Sequence, residues 1–307
     1  MKRDLLKTVA VTAVAFVFTA ASMAMAACPD GVVCFGSGGE TGEFYRTANI
    51  LKQKAEEQLI PIEVGSPGGS KFNCDNVKAG NLHFGWAMQK VAEAEGMNDV
   101  MIAPFSEAML LVGQEKTITF LGSKSKLRTW ETLLNMKRLR LAVLGGMDSG
   151  EASFAISHGL DKSRIQSFTS EADFLNALKS NPNMVGFVSR YPNPYSKLMQ
   201  AIDKEKLKVT GVLSRSLIKE GLKAGKVTIP GFGEVSTVMM PVVAVFDSSA
   251  QYSVDVAEMV DATKDILKGM SSEDFSPQPT WTQKAWLKIK GWKSQGLVKF
   301  EELKAQI

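Results

Sequence analysis

The chain has 307 residues, of which 45% are hydrophobic and 22% charged, and its formal net charge is +4. That mild balance argues against a nucleic-acid protein, which would carry a concentrated basic face. Two histidines, three cysteines and no CxxC pair make a metal site unexpected, and no cofactor is expected.

Lys2, Arg3 and Lys7 precede an apolar stretch from Thr8 to Ala21, which ends in Ser22-Met23-Ala24-Met25-Ala26-Ala27. This is the order of a secretory signal peptide over 1–26, and the stretch falls short of the roughly 20 apolar residues of a spanning helix. The expected product is periplasmic. It carries a net charge of +2, since Lys2, Arg3, Lys7 and Asp4 leave with the leader. Cleavage after Ala26 is the first choice; cleavage after Ala27 would expose Cys28 as a lipid attachment point.

The elements then alternate. Val32-Val33-Cys34-Phe35 reads as a strand ending in the loop Gly36-Ser37-Gly38-Gly39-Glu40-Thr41-Gly42, and Tyr45, Ala48, Leu51 and Ala55 mark a helix from Glu43 to Gln58. Ile60 to Val64 is a second strand, ending in Gly65-Ser66-Pro67-Gly68-Gly69-Ser70. A helix to Ala79 and a strand from Leu82 to Ala87 complete a βαβαβ unit. The pattern restarts with a strand from Leu139 to Leu144, the loop Gly145-Gly146-Met147-Asp148-Ser149-Gly150 and a helix to His158. Strands follow at 165–168, 184–189 and 207–213, with helices at 170–178 and 194–202 between them. Crossing segments at 109–127 and 214–235 join the halves. A strand from Val238 to Phe246 returns to the first half, and helices at 253–267 and 280–292 finish the chain.

The expected fold is therefore α/β and two-lobed, each lobe a mostly parallel sheet flanked by helices, with a hinge of two crossing segments. Residues 27–120 with 232–307 form the first lobe, and 121–231 the second. Ligands of open α/β sheets sit at the carboxyl ends of the strands, and hinged lobes close around them.

Three mature cysteines suggest one disulfide and one leftover thiol. Cys34 near the top of its strand and Cys74 one turn into the second helix favour Cys34–Cys74, with Cys28 free or lipidated. The competing pair is Cys28–Cys34, because Pro29-Asp30-Gly31 is a turn signal that folds Cys28 back.

The strand-to-helix loops supply the candidate binding residues. Helix N-termini present unpaired N–H groups that hold carboxylates, glycine lets backbone approach a ligand, and hydroxyls cap or donate. Ser37, Gly38, Gly39 and Thr41 lie in the first loop; Gly69 and Ser70 lie in the second; Ser149 and Gly150 open the second lobe. Tyr45 and Trp86 are candidate platforms. The glycine loop lacks the Gly-Lys-Ser/Thr ending of a phosphate loop, and no acid is placed for a ribose.

Taken in order, Gly36–Tyr45, Gly68-Gly69-Ser70 with Asn73, Gly80 and Gly85-Trp86, Ser149-Gly150, Gly186–Pro194 and Val238–Val245 resemble the TAXI family of periplasmic receptors, subunits of TRAP transporters. The resemblance runs from about residue 33 to 246. It implies a type II periplasmic binding protein fold, a small-molecule ligand such as an organic anion or an amino acid-like compound, permease subunits as partners, and a monomer. It adds Asn73, Gln89, Tyr191 and Asn193 to the site. Two positions depart from the pattern: Met88-Gln89-Lys90 stands where members carry a Gln-Ser-Asp-like triplet, and Arg190 stands where a small residue is common. Lys90 and Arg190 add positive charge, so the expected ligand is a carboxylate-bearing anion clamped by Arg190.

No nucleophile–base or metal constellation accompanies His83 or His158, so the chain is not expected to be an enzyme. A sensor subunit reporting to a membrane kinase would use the same two-lobed form.

Overall fold

The structure, a computed structural model, describes residues 28–40, 42–65, 68–123, 128–190, 196–229 and 231–276. The leader at 1–26, Thr41, Tyr191, Asn193 and the helix expected at 280–292 lie outside the described residues.

The first lobe begins as the sequence pattern directs: β1 (Val33–Gly36), α1 (Glu43–Glu56), β2 (Ile62–Gly65), α2 (Ser70–Lys78), β3 (Phe84–Met88) and the short α3 (Gln89–Ala94). Parallel strands buried on both faces read as continuous apolar runs, as β1 and β3 do, whereas the edge strand β2 carries exposed Glu63. A long strand, β4 (Val100–Gly113), leads into α4 (Glu115–Ser123) and α5 (Thr129–Asn135). The second lobe holds β5 (Arg140–Leu144), α6 (Gly150–Ser157), β6 (Ile165–Phe168), α7 (Glu171–Ser180), β7 (Met184–Arg190), α8 (Lys197–Lys204) and β8 (Lys208–Gly211). The chain returns through α9 (Arg215–Lys219), β9 (Lys223–Ile229), a second long strand β10 (Gly233–Phe246), and α10 (Val254–Gly269). Serine hydroxyls open four helices: Ser149, Ser170, Ser196 and Ser214 each accept a first-turn amide. No described helix is long and apolar enough to cross a membrane.

All ten strands join one mixed sheet, in the order β2-β1-β3-β10-β4-β7-β5-β6, with β8 on β4 and β9 on β10. The parallel trios β2-β1-β3 and β7-β5-β6 flank the antiparallel pair β10-β4. The described parts of the crossings expected at 109–127 and 214–235 hold the end of β4, α4, α9, β9 and the start of β10. Two 14-residue strands, β4 and β10, join the halves.

Register fixes where the lobes meet. β3 ends at Met88 opposite Val242, while Pro241 faces Ser106 and Met240 faces Glu107. From the other side, β7 runs antiparallel to β4 and ends at Arg190 opposite Ala108. The carboxyl ends of both parallel trios therefore converge on the level of Ser106–Ala108. One face of β4 contributes Phe105, Met109 and Leu111 to a core shared by both lobes, with Trp86, Trp130, Phe154 and Phe187. The opposite face sends Ala108, Leu110 and Val112 into a second core under α7 and α8.

The disulfide is Cys28–Cys34, with Cα atoms 5.9 Å apart, and not the favoured Cys34–Cys74. Gly31 adopts φ +73° in the Pro29-Asp30-Gly31 turn, a conformation glycine takes without strain, and this turn brings Cys28 back beside the start of β1. Cys74 packs in the same small apolar cluster as Cys34, where burial pushes its thiol pKa up to about 12. Such a thiol supplies almost no thiolate for exchange. The Cys28 sulfur, committed to the bridge, has no free valence for the lipid alternative.

Two outcomes are expected from these cysteines. Unreduced peptide mapping will recover a Cys28–Cys34 peptide, and Cys74 will react with alkylating reagents only after denaturation. Cys28→Ser will lower stability by about 2 kcal/mol, the chain-entropy value for so short a loop, as read by denaturant melts.

Candidate functional site

The loops that open α2 and α6 come into contact. Gly69 lies so close to the second lobe that an added Cβ would sit 3.2 Å from the Ser149 Cα and 3.3 Å from the Asp148 carbonyl oxygen. At Gly150 it would sit 2.6 Å from Ser70 Oγ and 3.0 Å from Met88 Cε. The lobes are thus in direct contact here, and α6 packs against both α2 and α3.

The other expected residues divide by role. Ser37 is fully buried and its hydroxyl donates to the Gly65 carbonyl at 2.7 Å, pinning loop to loop. Gly38 packs over Phe44, and the Gly39 carbonyl accepts the Gly42 amide at 2.7 Å, closing the turn before α1. Ser70 Oγ accepts the Met88 amide at 3.0 Å. Buried Asn73 donates Nδ2 to the carbonyls of Ser37 (2.9 Å) and Trp86 (2.7 Å), and so holds two strand ends together. Trp86 is fully buried in the core, edge-on to Phe35, Phe105 and Phe275. Tyr45 is half-buried on α1. Gln89 and Lys90 both turn to Glu93, at 2.9 and 2.8 Å.

Arg190 stands at the meeting level. Its Nη1 donates to the Ser189 carbonyl at 3.0 Å and lies 3.9 Å from Glu151 Oε1. Around it are groups the sequence reading passed over. Glu107, 4% exposed on β4, accepts the Ser189 hydroxyl at 2.5 Å. Glu151, in the first turn of α6, accepts the Ser189 amide at 3.2 Å. Glu43, in the first turn of α1, is buried and paired with Arg46 at 2.7 Å. Arg46 in turn donates to the Phe275 carbonyl at 2.8 Å.

A signal for two of these acids was present. Thr41-Gly42-Glu43 and Ser149-Gly150-Glu151 are the same hydroxyl-Gly-Glu sequence opening equivalent helices of the two lobes. Acids are favoured in a helix's first turn, which makes the repeat easy to dismiss as capping. Glu107 announces itself as the lone acid between Phe105 and Gly113.

Burial pushes the Glu107 carboxyl up to about 7, and the neighbouring Glu151 and Glu43 charges add to that, against the Ser189 hydrogen bond and Arg190. Glu151 is also raised, by burial first, with Arg190 opposing. The histidines lie elsewhere. His83 precedes β3, where its Nδ1 accepts the Cys34 amide at 2.9 Å; burial lowers its pKa, in keeping with a neutral ring. His158 closes the far end of α6, 3.2 Å from Glu220.

No protein-family model matches the chain, and no curated protein matches it. Among solved structures it is similar to the substrate binding protein of an amino acid ABC transporter, with a TM-score of 0.47 and 13% identity over 80% of this chain and 96% of that one. An ABC-type phosphate transport receptor from Vibrio cholerae gives a TM-score of 0.44 and 12% identity over 79% and 96%. The GluR0 ligand binding core in complex with L-glutamate gives 0.45 and 13% over 78% and 97%.

Two predictions test the geometry. The folded protein holds the Glu107 proton to about pH 7, whereas the unfolded chain releases it near the ordinary 4.5. Stability therefore falls as pH rises through this window, by on the order of 3 kcal/mol, and Glu107→Gln will flatten the fall in urea melts at pH 4.5 to 8. Asn73→Ala, which strips two buried carbonyls of their donor, will cost about 2–4 kcal/mol in the same melts.

Proposed function

We propose that the chain is an exported two-lobed receptor that captures a small carboxylate-bearing solute between its lobes and delivers it to a membrane transporter of the TRAP type. One observation carries the reading. Two parallel trios point their carboxyl ends at a common level of a two-strand hinge, where three helices of eight or more residues, α1, α2 and α6, begin from opposing lobes. Ligands of open α/β sheets sit at such strand ends. Lobes joined by two strands open and close about them.

Within this reading, Arg190 on β7 supplies the planar donor fork for a carboxylate. It is held at the waist by the Ser189 carbonyl, and its 3.9 Å distance from Glu151 is longer than a hydrogen-bonded pair. Lys90 adds charge at the rim, and the N-termini of α2 and α6 bring Gly69, Ser70, Ser149 and Gly150 to the ligand. The TRAP assignment rests on the TAXI-like order of motifs. A binding role is favoured over catalysis because both histidines sit at the ends of β3 and α6 remote from the meeting level, each with a structural partner.

Native mass spectrometry of protein purified without denaturation is expected to show a retained solute of small mass. Titration calorimetry with a panel of carboxylates is expected to give about 10- to 100-fold weaker binding in Arg190→Ala, the value of a charge-assisted contact. Equal affinities in the two proteins would remove Arg190 from the site.

A further inference from the structure

We infer that the second lobe carries a membrane-docking edge, on which the exposed cations around β8 and β9 hold the protein against a bilayer surface rich in anionic phospholipid. This goes beyond the receptor reading and does not depend on which solute is carried.

The formal net charge of +4 averages two unlike halves. Residues 121–231 hold 18 Lys and Arg against nine Asp and Glu, a net of +9. Residues 27–120 with 232–307 hold 15 against 22, a net of −7. The positive excess is densest at 203–226, where seven cations stand against three acids. This stretch runs from the end of α8 through β8 and α9 into β9. β8 hangs on β4 and β9 on β10, both off the main path of the sheet, so the stretch lies along one edge of the lobe. All seven cations are exposed. The neighbouring acids leave them largely unneutralised. Glu205 pairs with Lys179 at 2.5 Å, and Glu220 lies 3.2 Å from His158. Lys226 pairs with Glu234 at 2.7 Å. The other six, Lys204, Lys206, Lys208, Arg215, Lys219 and Lys223, make no ion pair among the described residues. Like charges held together repel one another, and an anionic surface relieves that repulsion.

Composition selects the partner. Protein interfaces are enriched in aromatic residues, Met and Arg and are poor in Lys. Residues 203–226 hold six Lys, one Arg, no Met and no aromatic residue. Single-stranded nucleic acid would call for aromatic platforms on which its bases stack. A bilayer demands neither shape nor stacking. It responds to clusters of roughly four to eight Lys or Arg near its headgroups, each strengthening binding about five-fold. The same surface repels the first lobe with its net of −7, so docking by this edge turns the acidic lobe outward.

Co-sedimentation of the purified chain with vesicles tests the inference, using phosphatidylcholine alone and phosphatidylcholine mixed with phosphatidylglycerol. Binding is expected to the mixed vesicles only, and to be lost between about 0.05 M and 1 M salt as screening shortens the reach of each charge. The triple variant Lys206→Gln, Lys208→Gln, Lys223→Gln is expected to bind on the order of 100-fold more weakly, three charges at about five-fold each. A second trio, Lys204→Gln, Arg215→Gln, Lys219→Gln, is expected to lose as much, and serves should the first fold poorly. Lys52→Gln, Lys116→Gln, Lys268→Gln, which removes three charges from the first lobe, is expected to change binding less than about two-fold. Equal binding to both vesicle types, or none to either, would overturn the inference and leave the receptor reading standing. Binding that survives in both second-lobe trios would move the attraction elsewhere, to the six lysines at 284–304 among other places, and would overturn it too. So would a DNA duplex that outcompetes the mixed vesicles at equal salt, or self-association in sedimentation that the same substitutions abolish; these would assign the edge to a nucleic acid or to a second copy of the chain.

Discussion

The antiparallel pairing of β4 with β10 is the constraint on which the rest depends. These two strands are shared by both lobes, so the register between them sets the relative level of every strand end on either side. Met88 ends level with β4 between Ile102 and Ser106, and Arg190 ends opposite Ala108, coming from opposite directions. Each following loop and helix is then placed by the length of the strand before it. Thr237 reinforces the lock: its hydroxyl is bonded to the Met109 carbonyl and accepts the Val212 amide at 3.2 Å, tying β10 to β4 and to the end of β8.

A charged side chain in the middle of such a strand has an electrostatic cost. Glu107 sits between Phe105 and Met109 on a face that otherwise builds core. The helix N-termini of α1 and α6 would ordinarily offer partial positive charge here, but Glu43 and Glu151 stand in those first turns and use it. The meeting level therefore holds counter-charges of its own, Arg46 on Glu43 and Arg190 near Glu151.

Much of the architecture was legible in the sequence because parallel strands are apolar runs that end in glycine-rich loops. The βαβαβ unit, its restart at Arg140 and the serine caps of α6 and α7 all follow from that local grammar. β4 was not legible. Pro104 and Glu107 interrupt its run, and its partners are more than a hundred residues away in β10, so nothing local marks Val100–Gly113 as one strand. The cysteine pairing turned on the path of Pro29-Asp30-Gly31, where a single positive φ outweighs the proximity of Cys74 across the same cluster. Trp86 and Asn73, read from the sequence as candidate site positions, pack in the core and brace strand ends. Glu43 and Glu151 were hidden by having an ordinary explanation at helix starts.

The register of β10 slips between Pro241 and Val243, at the level where Pro241 faces Ser106. A proline donates no ladder hydrogen bond, and an irregularity there concentrates local twist. On the receptor reading, the lobes would turn about this notch in the two-strand waist, like a torsion bar cut at mid-length, with the smallest displacement at the Glu107 level.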